Sequence, residues 1–387
     1  MKRIVITLLL LSGALMPDIS RAQHNNRSAT TDKFNMLMNY ISQMYVDSVK
    51  EDELTEAAII HMLEMLDPHS IYIPKKEVEE MNAPLKGGFD GIGVRFQIMK
   101  DTVMIVNTIP GGPSEKLGIR AGDKIIKVEG ENIAGAGIKN YQVREKLLGL
   151  KGTKVQVEIQ RRGEKNLIKY TITRDKIPLY SVDASYMATP TTGYIKLNSF
   201  GENTMAEFTR AFDSLKTLGM QNLIFDLQGN GGGYLNTAIE LCDEFLSGSK
   251  LIVYTEGRSF PRKDTYARKV GRFETGKLIL LIDESSASAS EILSGAIQDW
   301  DRGLIVGRRS FGKGLVQKPM NLPDGSQVRL TTQRYFTPTG RCIQKPYDDG
   351  SEAYRKEKYQ RYLSGEMLSL DSIKIPDSLH FETRINK

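Results

Sequence analysis

Ser288 stands in the run Asp283-Glu284-Ser285-Ser286-Ala287-Ser288-Ala289-Ser290-Glu291, after the apolar residues 278–282 and ahead of a stretch with helical periodicity. A strand-to-helix turn lined by alanines holds a serine hydroxyl exposed while the backbone N–H that follows it points at an oxyanion. A serine nucleophile needs a base, and the usual histidine is missing: the only one downstream is His380, near the chain end. Lysine is the natural substitute. Lys313 lies in Gly307-Arg308-Arg309-Ser310-Phe311-Gly312-Lys313-Gly314, between glycines that let the backbone come close to another element. To act near neutrality its pKa must fall from about 10.4 to about 7, roughly 4 kcal/mol of differential stabilisation. Burial is able to supply that.

Plainer readings stand beside these. A serine in such a turn is usually a helix cap, and a glycine-flanked lysine is usually surface charge. The lysine loop nearly spells a phosphate loop, G-x-x-x-x-G-K, but Gly314 replaces the Ser/Thr that would hold magnesium, and residues 315–319 read as a strand where a helix is required. Gly229-Asn230-Gly231-Gly232-Gly233 follows an apolar strand and precedes a helix. Asn236 breaks the dinucleotide fingerprint there. Its N–H groups either complete an oxyanion hole or only close a tight turn.

The elements that must position these residues fall into regions of different texture. Residues 1–22 read as a secretory signal, with Lys2 and Arg3, an apolar run over 4–15 and the small-x-small site Ser20-Arg21-Ala22. An uncleaved anchor is the alternative, and no cysteine is present there to take a lipid. Residues 23–84 form a helical region, with Phe34, Leu37, Met38 and Ile41, then Leu54, Ala57, Ile60 and Leu63 at helical spacing, broken by Asp67-Pro68-His69-Ser70. Its apolar stripe suits pairing into a homodimer. Residues 85–175 carry short strands bounded by glycines and one helical stretch at 141–148, a compact β-rich domain. In residues 176–345 strands at 194–197, 223–227, 278–282 and 304–306 alternate with helices at 204–218, 235–245 and 290–300, an α/β pattern. Residues 346–387 are a charged segment, helical at first.

Composition narrows the function. The 387 residues, 40% hydrophobic, suffice for two or three cores. The net charge of +6 becomes +4 once Lys2, Arg3, Arg21 and Asp18 leave with the signal. No basic block with interleaved aromatics is present, so nucleic acid is not an expected partner. Cys242 and Cys342 are too few for a disulfide framework and have no zinc spacing, and whether they pair is left open by the sequence. No metal or cofactor is called for.

Taken together, these pieces resemble the C-terminal processing peptidases, or tail-specific proteases. The family's nucleophile segment is similar to Ser286-Ala287-Ser288-Ala289-Ser290-Glu291-Ile292-Leu293, and its base segment to Ser310-Phe311-Gly312-Lys313-Gly314-Leu315-Val316-Gln317. The resemblance extends over residues 31–345 and takes in Leu66-Asp67-Pro68-His69-Ser70, Asp226-Leu227 and Tyr335-Phe336-Thr337-Pro338-Thr339-Gly340-Arg341. It implies Ser288 as nucleophile, Lys313 as base and Gln317 as the residue that orients the lysine. Gly232 and Ala289 would supply the oxyanion-hole N–H groups, although Gly231 stands where the family usually has proline. The middle region resembles a PDZ domain of the permuted bacterial type, in Pro113-Ser114-Glu115-Lys116-Leu117-Gly118-Ile119 and Gly122-Asp123-Lys124-Ile125-Ile126. Gly91, Ile92, Gly93 and Val94 would then receive a terminal carboxylate.

The implied protein is an α/β multidomain serine endopeptidase: helical unit, PDZ domain and a crotonase/ClpP-like protease domain, exported to the periplasm or cell envelope. It would capture protein or peptide substrates by free, apolar C-termini and cut them through a Ser/Lys dyad and an acyl-enzyme, with docking at the PDZ domain gating the site. The family's Gly-Ile-x-Pro-Asp strand finds no counterpart after Gln344 in this reading, which raises the expectation of a shortened catalytic domain. A silent adaptor that only binds tails is the rival, and the Ser288, Lys313 and Gln317 set argues against it.

Overall fold

A computed structural model describes residues 29–369, 372–373 and 382–383. The expected signal segment, residues 1–22, and His380 lie outside them. The described residues fall into two units, one up to residue 59 and one from residue 60 onward. The first holds α1 (Ala29–Met44) and the start of α2 (Glu51–Glu64). Helix α1 buries none of its side chains, and Phe34, Leu37 and Tyr40 are exposed. Glu51, Asp52 and Glu53 open α2, where the positive end of the helix dipole favours acidic residues.

The second unit starts with a turn built by one side chain: Asp67 Oδ1 accepts the N–H groups of His69 and Ser70, each at 2.8 Å. Strand β1 (Ile71–Ile73), α3 (Lys75–Asn82) and β2 (Gly88–Gly91) follow. Next come β3 (Val94–Met99), β4 (Thr102–Thr108), the short α4 (Pro113–Lys116), β5 (Lys124–Val128), β6 (Glu131–Asn132), α5 (Asn140–Leu147), β7 (Lys154–Gln160) and β8 (Ile168–Thr173). These make an antiparallel sheet in the order β3-β4-β5-β7-β8, with β6 on β5. Alternation along β7 sends Val155, Val157 and Ile159 inward. They join Val103, Ile105, Ile125, Val143 and Leu147 in a core of their own. Strand β9 (Asp175–Pro178) pairs antiparallel with β2, so the chain enters and leaves this domain along one two-stranded ribbon.

The remaining elements are β10 (Val182–Thr189), β11 (Thr192–Leu197), α6 (Thr204–Thr217), β12 (Asn222–Asp226), α7 (Leu235–Asp243), β13 (Leu251–Gly257), β14 (Phe260–Tyr266), β15 (Leu278–Ile282), α8 (Ala289–Asp299), β16 (Leu304–Gly307), β17 (Leu315–Asn321), β18 (Gln327–Phe336) and α9 (Gly350–Leu363). One sheet runs β10-β11-β12-β15-β16, parallel except for β10. A second runs β1-β18-β13-β14, with β17 also paired to β18. The core between strands and helices is aromatic: Phe208, Phe225 and Phe245 are fully buried and meet edge to face at 5.8 to 5.9 Å.

Helical spacing over residues 31–81 does not anticipate β1, because three residues carry no period and β18 supplies their partners. The hairpin of β13 and β14 and the long β18 also have no forecast in the alternation of strand and helix. Residues 315–319 do lie in a strand, β17, so no helix N-terminus follows Lys313 to cradle a phosphate.

Candidate active site

Strand β15 is apolar and central, and it delivers the chain to Asp283, whose carboxylate organises the turn. Oδ1 accepts the N–H groups of Gly229 (3.0 Å), Ser285 (2.9 Å) and Ser286 (3.1 Å). The Ser286 hydroxyl donates to the Leu227 carbonyl at 2.8 Å, and Ala287 N–H to Asn230 O at 3.0 Å, so the turn is fastened to the glycine loop after β12. Ser288 then adopts φ 56° and ψ −111°. A non-glycine residue there is strained and persists only when its surroundings hold it. It heads α8, and Ala289 N–H, the first of that helix, has no intrahelical acceptor.

Gly232 meets the same turn. Its φ is +99°, and a Cβ there would lie 2.7 Å from Ala287 O, 2.8 Å from Ser288 Cβ and 2.9 Å from Ala289 N. Only glycine allows this approach. Its N–H donates to Asn230 Oδ1 at 2.8 Å, so one of the two expected oxyanion donors is engaged internally.

Lys313 leads into β17, and its Nζ donates to Gln317 Oε1 at 2.8 Å. The Gln317 amide cannot turn over freely, because its Nε2 donates to the His69 carbonyl. Burial pushes the Lys313 ammonium below its ordinary 10.5, and the nearby Arg329 charge adds to that, while Asp67 and Glu291 oppose it. Arg329 is held by Met81 O and Asn82 Oδ1, both at 3.1 Å from Nη2. Lys313 and Ser288 make no hydrogen bond to each other. Catalytic contacts are often incomplete without substrate.

Two residues to which the sequence reading gave no role tie the Ser288 and Lys313 segments together. Glu291, 2% exposed, accepts four donors: Ser310 Oγ and Gly312 N at Oε1, both 2.7 Å, and Ser288 N (2.8 Å) and Lys313 N (2.9 Å) at Oε2. Burial pushes its carboxyl up, and those donors push it back down. The Ser288-x-x-Glu291 spacing is a capping-box signal that could have revealed it. The buried Tyr335 hydroxyl bonds the carbonyls of Lys313 and, at 3.2 Å, Ser288. No local signal marks it.

Ser288, Ala289, Gly232, Lys313 and Gln317 therefore line one cavity of about 400 Å³, with Met81, Leu235 and Ile292 among its apolar walls. No group of side chains suited to a metal ion occurs among the described residues. Gly91, Ile92, Gly93 and Val94 lie in the β-rich domain instead. Gly93 has φ +74°, and a Cβ there would press on Ile177 at 3.0 Å. Ile92, Gly93 and Val94 border a groove of about 510 Å³ that Phe96, Leu147 and Leu148 also line. Strand β3 ends its sheet, so its outer edge is open to an added strand.

Three family models match the chain: peptidase family S41 over residues 191–350, a PDZ domain over 91–172, and the N-terminal domain of the activating protease CtpB over 14–77. The carboxy-terminal processing protease CtpB of Bacillus subtilis is 33% identical over 349 residues, 89% of this chain and 72% of that protein. CtpA of the same species is 34% identical over 315 residues, 81% of this chain and 66% of its own length. Among solved structures, the photosystem II D1 C-terminal processing protease is 30% identical, covering 80% of this chain and 83% of that one at a TM-score of 0.48.

Proposed function

Because this chain belongs to the carboxy-terminal processing proteases of peptidase family S41, serine-type peptidases that here carry a PDZ domain, we propose that it cuts protein substrates held by their C-termini, with Ser288 as nucleophile and Lys313 as base. The observation that carries this reading is the single cavity shared by Ser288, Ala289, Gly232, Lys313 and Gln317. Neutral Lys313 takes the proton of the Ser288 hydroxyl as Oγ adds to the peptide carbonyl. The oxyanion forms against the N–H groups of Ala289 and Gly232, the latter released from Asn230. Lys313 then gives its proton to the leaving amine. Water, deprotonated by the free Lys313 amine, adds to the acyl carbon, and Lys313 returns that proton to Ser288 Oγ as the ester bond breaks. Gln317 keeps Nζ on the cavity side throughout.

In this reading residues 85–175 serve as the PDZ domain and 176–345 as the protease domain. A substrate tail adds as a strand to β3, its carboxylate on the loop of Gly91, Ile92, Gly93 and Val94 and its apolar last side chain among Phe96 and Leu147. Residues 1–22 direct export to the periplasm or cell envelope, and the exposed face of α1 pairs two copies. No helix among the described residues is long and apolar enough to cross a membrane.

The test is cleavage of an unstructured protein with an apolar C-terminus, comparing the parent with Ser288→Ala and Lys313→Ala. Both substitutions are expected to abolish turnover while tail binding persists. Turnover by Lys313→Ala at the parent rate would overturn the assignment of the base.

A further inference from the structure

We infer that helix α9 is a working part of this active site: a strap that holds the loop carrying Lys313, with Arg361 and Tyr354 as its positioning residues. This rests on the reading of Lys313 as the base.

The helix is polar along its length, and Tyr354 and Arg361 are the only residues it buries. A helix that buries so little apolar surface is not placed by a hydrophobic face, so its position must come from specific polar bonds. Both buried side chains aim at the catalytic loops. Arg361, 4% exposed, donates from Nη2 to the Arg309 carbonyl at 2.7 Å and from Nη1 to the Ser310 carbonyl at 3.2 Å. Its Nε donates to Glu366 at 2.9 Å, and Glu366 in turn grips the Arg309 side chain at 2.8 and 2.9 Å. A buried guanidinium is tolerated only when its donors are satisfied, and here Nε goes to Glu366 while Nη1 and Nη2 hold the backbone carbonyls that lead into Ser310 and Gly312. Those two residues anchor the loop to Glu291.

Tyr354 reaches the other support of the lysine. Its hydroxyl lies 2.7 Å from His69 Nε2, and its ring stands edge-on to His69 and Phe311. The His69 carbonyl is the acceptor that holds the Gln317 amide, and Gln317 holds Lys313. Lys345 caps this cluster, its Nζ 4.3 Å from the Phe311 ring centre and 4.1 Å from that of Tyr354, and it pairs with Glu357 of α9 at 2.6 Å. Lys358 extends the contact to the nucleophile turn, donating to Ser285 Oγ at 2.8 Å.

The experiment uses the full chain and a quenched fluorogenic polypeptide with an apolar C-terminus. Arg361→Ala and Tyr354→Phe are compared with the parent and with Lys313→Ala, reading kcat, KM, the pH profile of kcat/KM, tail-peptide affinity and thermal unfolding. Misplacement of a catalytic group by about 1 Å costs on the order of 100-fold in rate. Arg361→Ala is expected to lose kcat on that scale, and Tyr354→Phe less, with KM and tail affinity unchanged. The acid limb should also move to higher pH, because a loosened loop admits water to Lys313. The charged and titratable groups that face it are Arg329 from β18, Asp67 and His69 from the turn, and Glu291 from α8, and both substitutions leave these residues unsubstituted. Parent kcat and an unmoved limb in both variants would overturn the strap, as would a change confined to KM. If Arg361→Ala does not fold, Tyr354→Phe decides alone. Should Lys313→Ala itself turn over substrate, the base reading is the one that fails.

Discussion

Lys313 pays for its place in stability. Burial and the Arg329 charge hold its pKa below the 10.5 of the unfolded chain, so below that pH folding works against the protonated amine. In the window between the two pKa values the unfolded state binds more protons, and stability therefore rises with pH. Lys313→Met is expected to raise the melting temperature at neutral pH, and the gain should shrink as pH approaches 10.5. Differential scanning calorimetry across that range reads it, and a gain that does not depend on pH would show that packing, not charge, is responsible. Ser288 and Lys313 were legible as candidates because their types and settings suggest a chemistry, and Gln317 only through the family resemblance. Tyr335 and Arg329 were not, because each acts through a tertiary contact: Tyr335 lies 47 positions from the Ser288 carbonyl it touches. Glu291 had a local signal in its capping-box spacing, but its bonds to Ser310, Gly312 and Lys313 are tertiary.

At the scale of elements, the site is made where two strand ends meet. Strand β12 releases the glycine loop and β15 the Ser288 turn, and their parallel pairing sets the two side by side. That approach has no room for a side chain at position 232. Gly232→Ala would place a methyl 2.7 Å from Ala287 O at φ +99°, costing about 1–2 kcal/mol for the backbone conformation alone. Loss of one oxyanion donor costs about 100- to 1,000-fold in kcat. Gly232→Ala is expected to fall in that range or below it, with tail-peptide binding kept. Parent turnover in the folded variant would remove Gly232 from the oxyanion hole. The strand and helix pattern of the protease sheet was readable because buried parallel strands are apolar runs of their own. Strands β1, β13, β14 and β18 were not: β1 and β13 meet β18 from distant parts of the chain, and the β13–β14 hairpin breaks the alternation of strand and helix.

Across the whole second unit, two separate cores serve two tasks, one behind the β3 groove and one beneath Ser288. Both cysteines belong to the second part, and neither is bonded: Cys242 is wholly buried in the aromatic core, while Cys342 is exposed. Burial also pushes the Cys242 thiol up, away from the reactive thiolate. A thiol reagent is expected to titrate one group in the native protein and two after denaturation. None in the native protein and none after denaturation would mean that the pair is oxidised.

The sequence by itself determined the chemistry on offer: a serine on a strand-to-helix turn, a lysine in place of histidine, a glycine loop and a compact β-rich domain. Those are local properties, written in residue type, spacing and period. Tertiary structure alone decided how the groups are held: Gln317 by the His69 carbonyl, the Ser288 and Lys313 segments by Glu291 and Tyr335, and the lysine loop by Arg361 of a helix that reads only as charged. Such bonds join residues far apart in the chain, and one buried carboxylate or guanidinium looks in sequence like any other on the surface. Its partners become visible only when folding removes the water that would otherwise satisfy it.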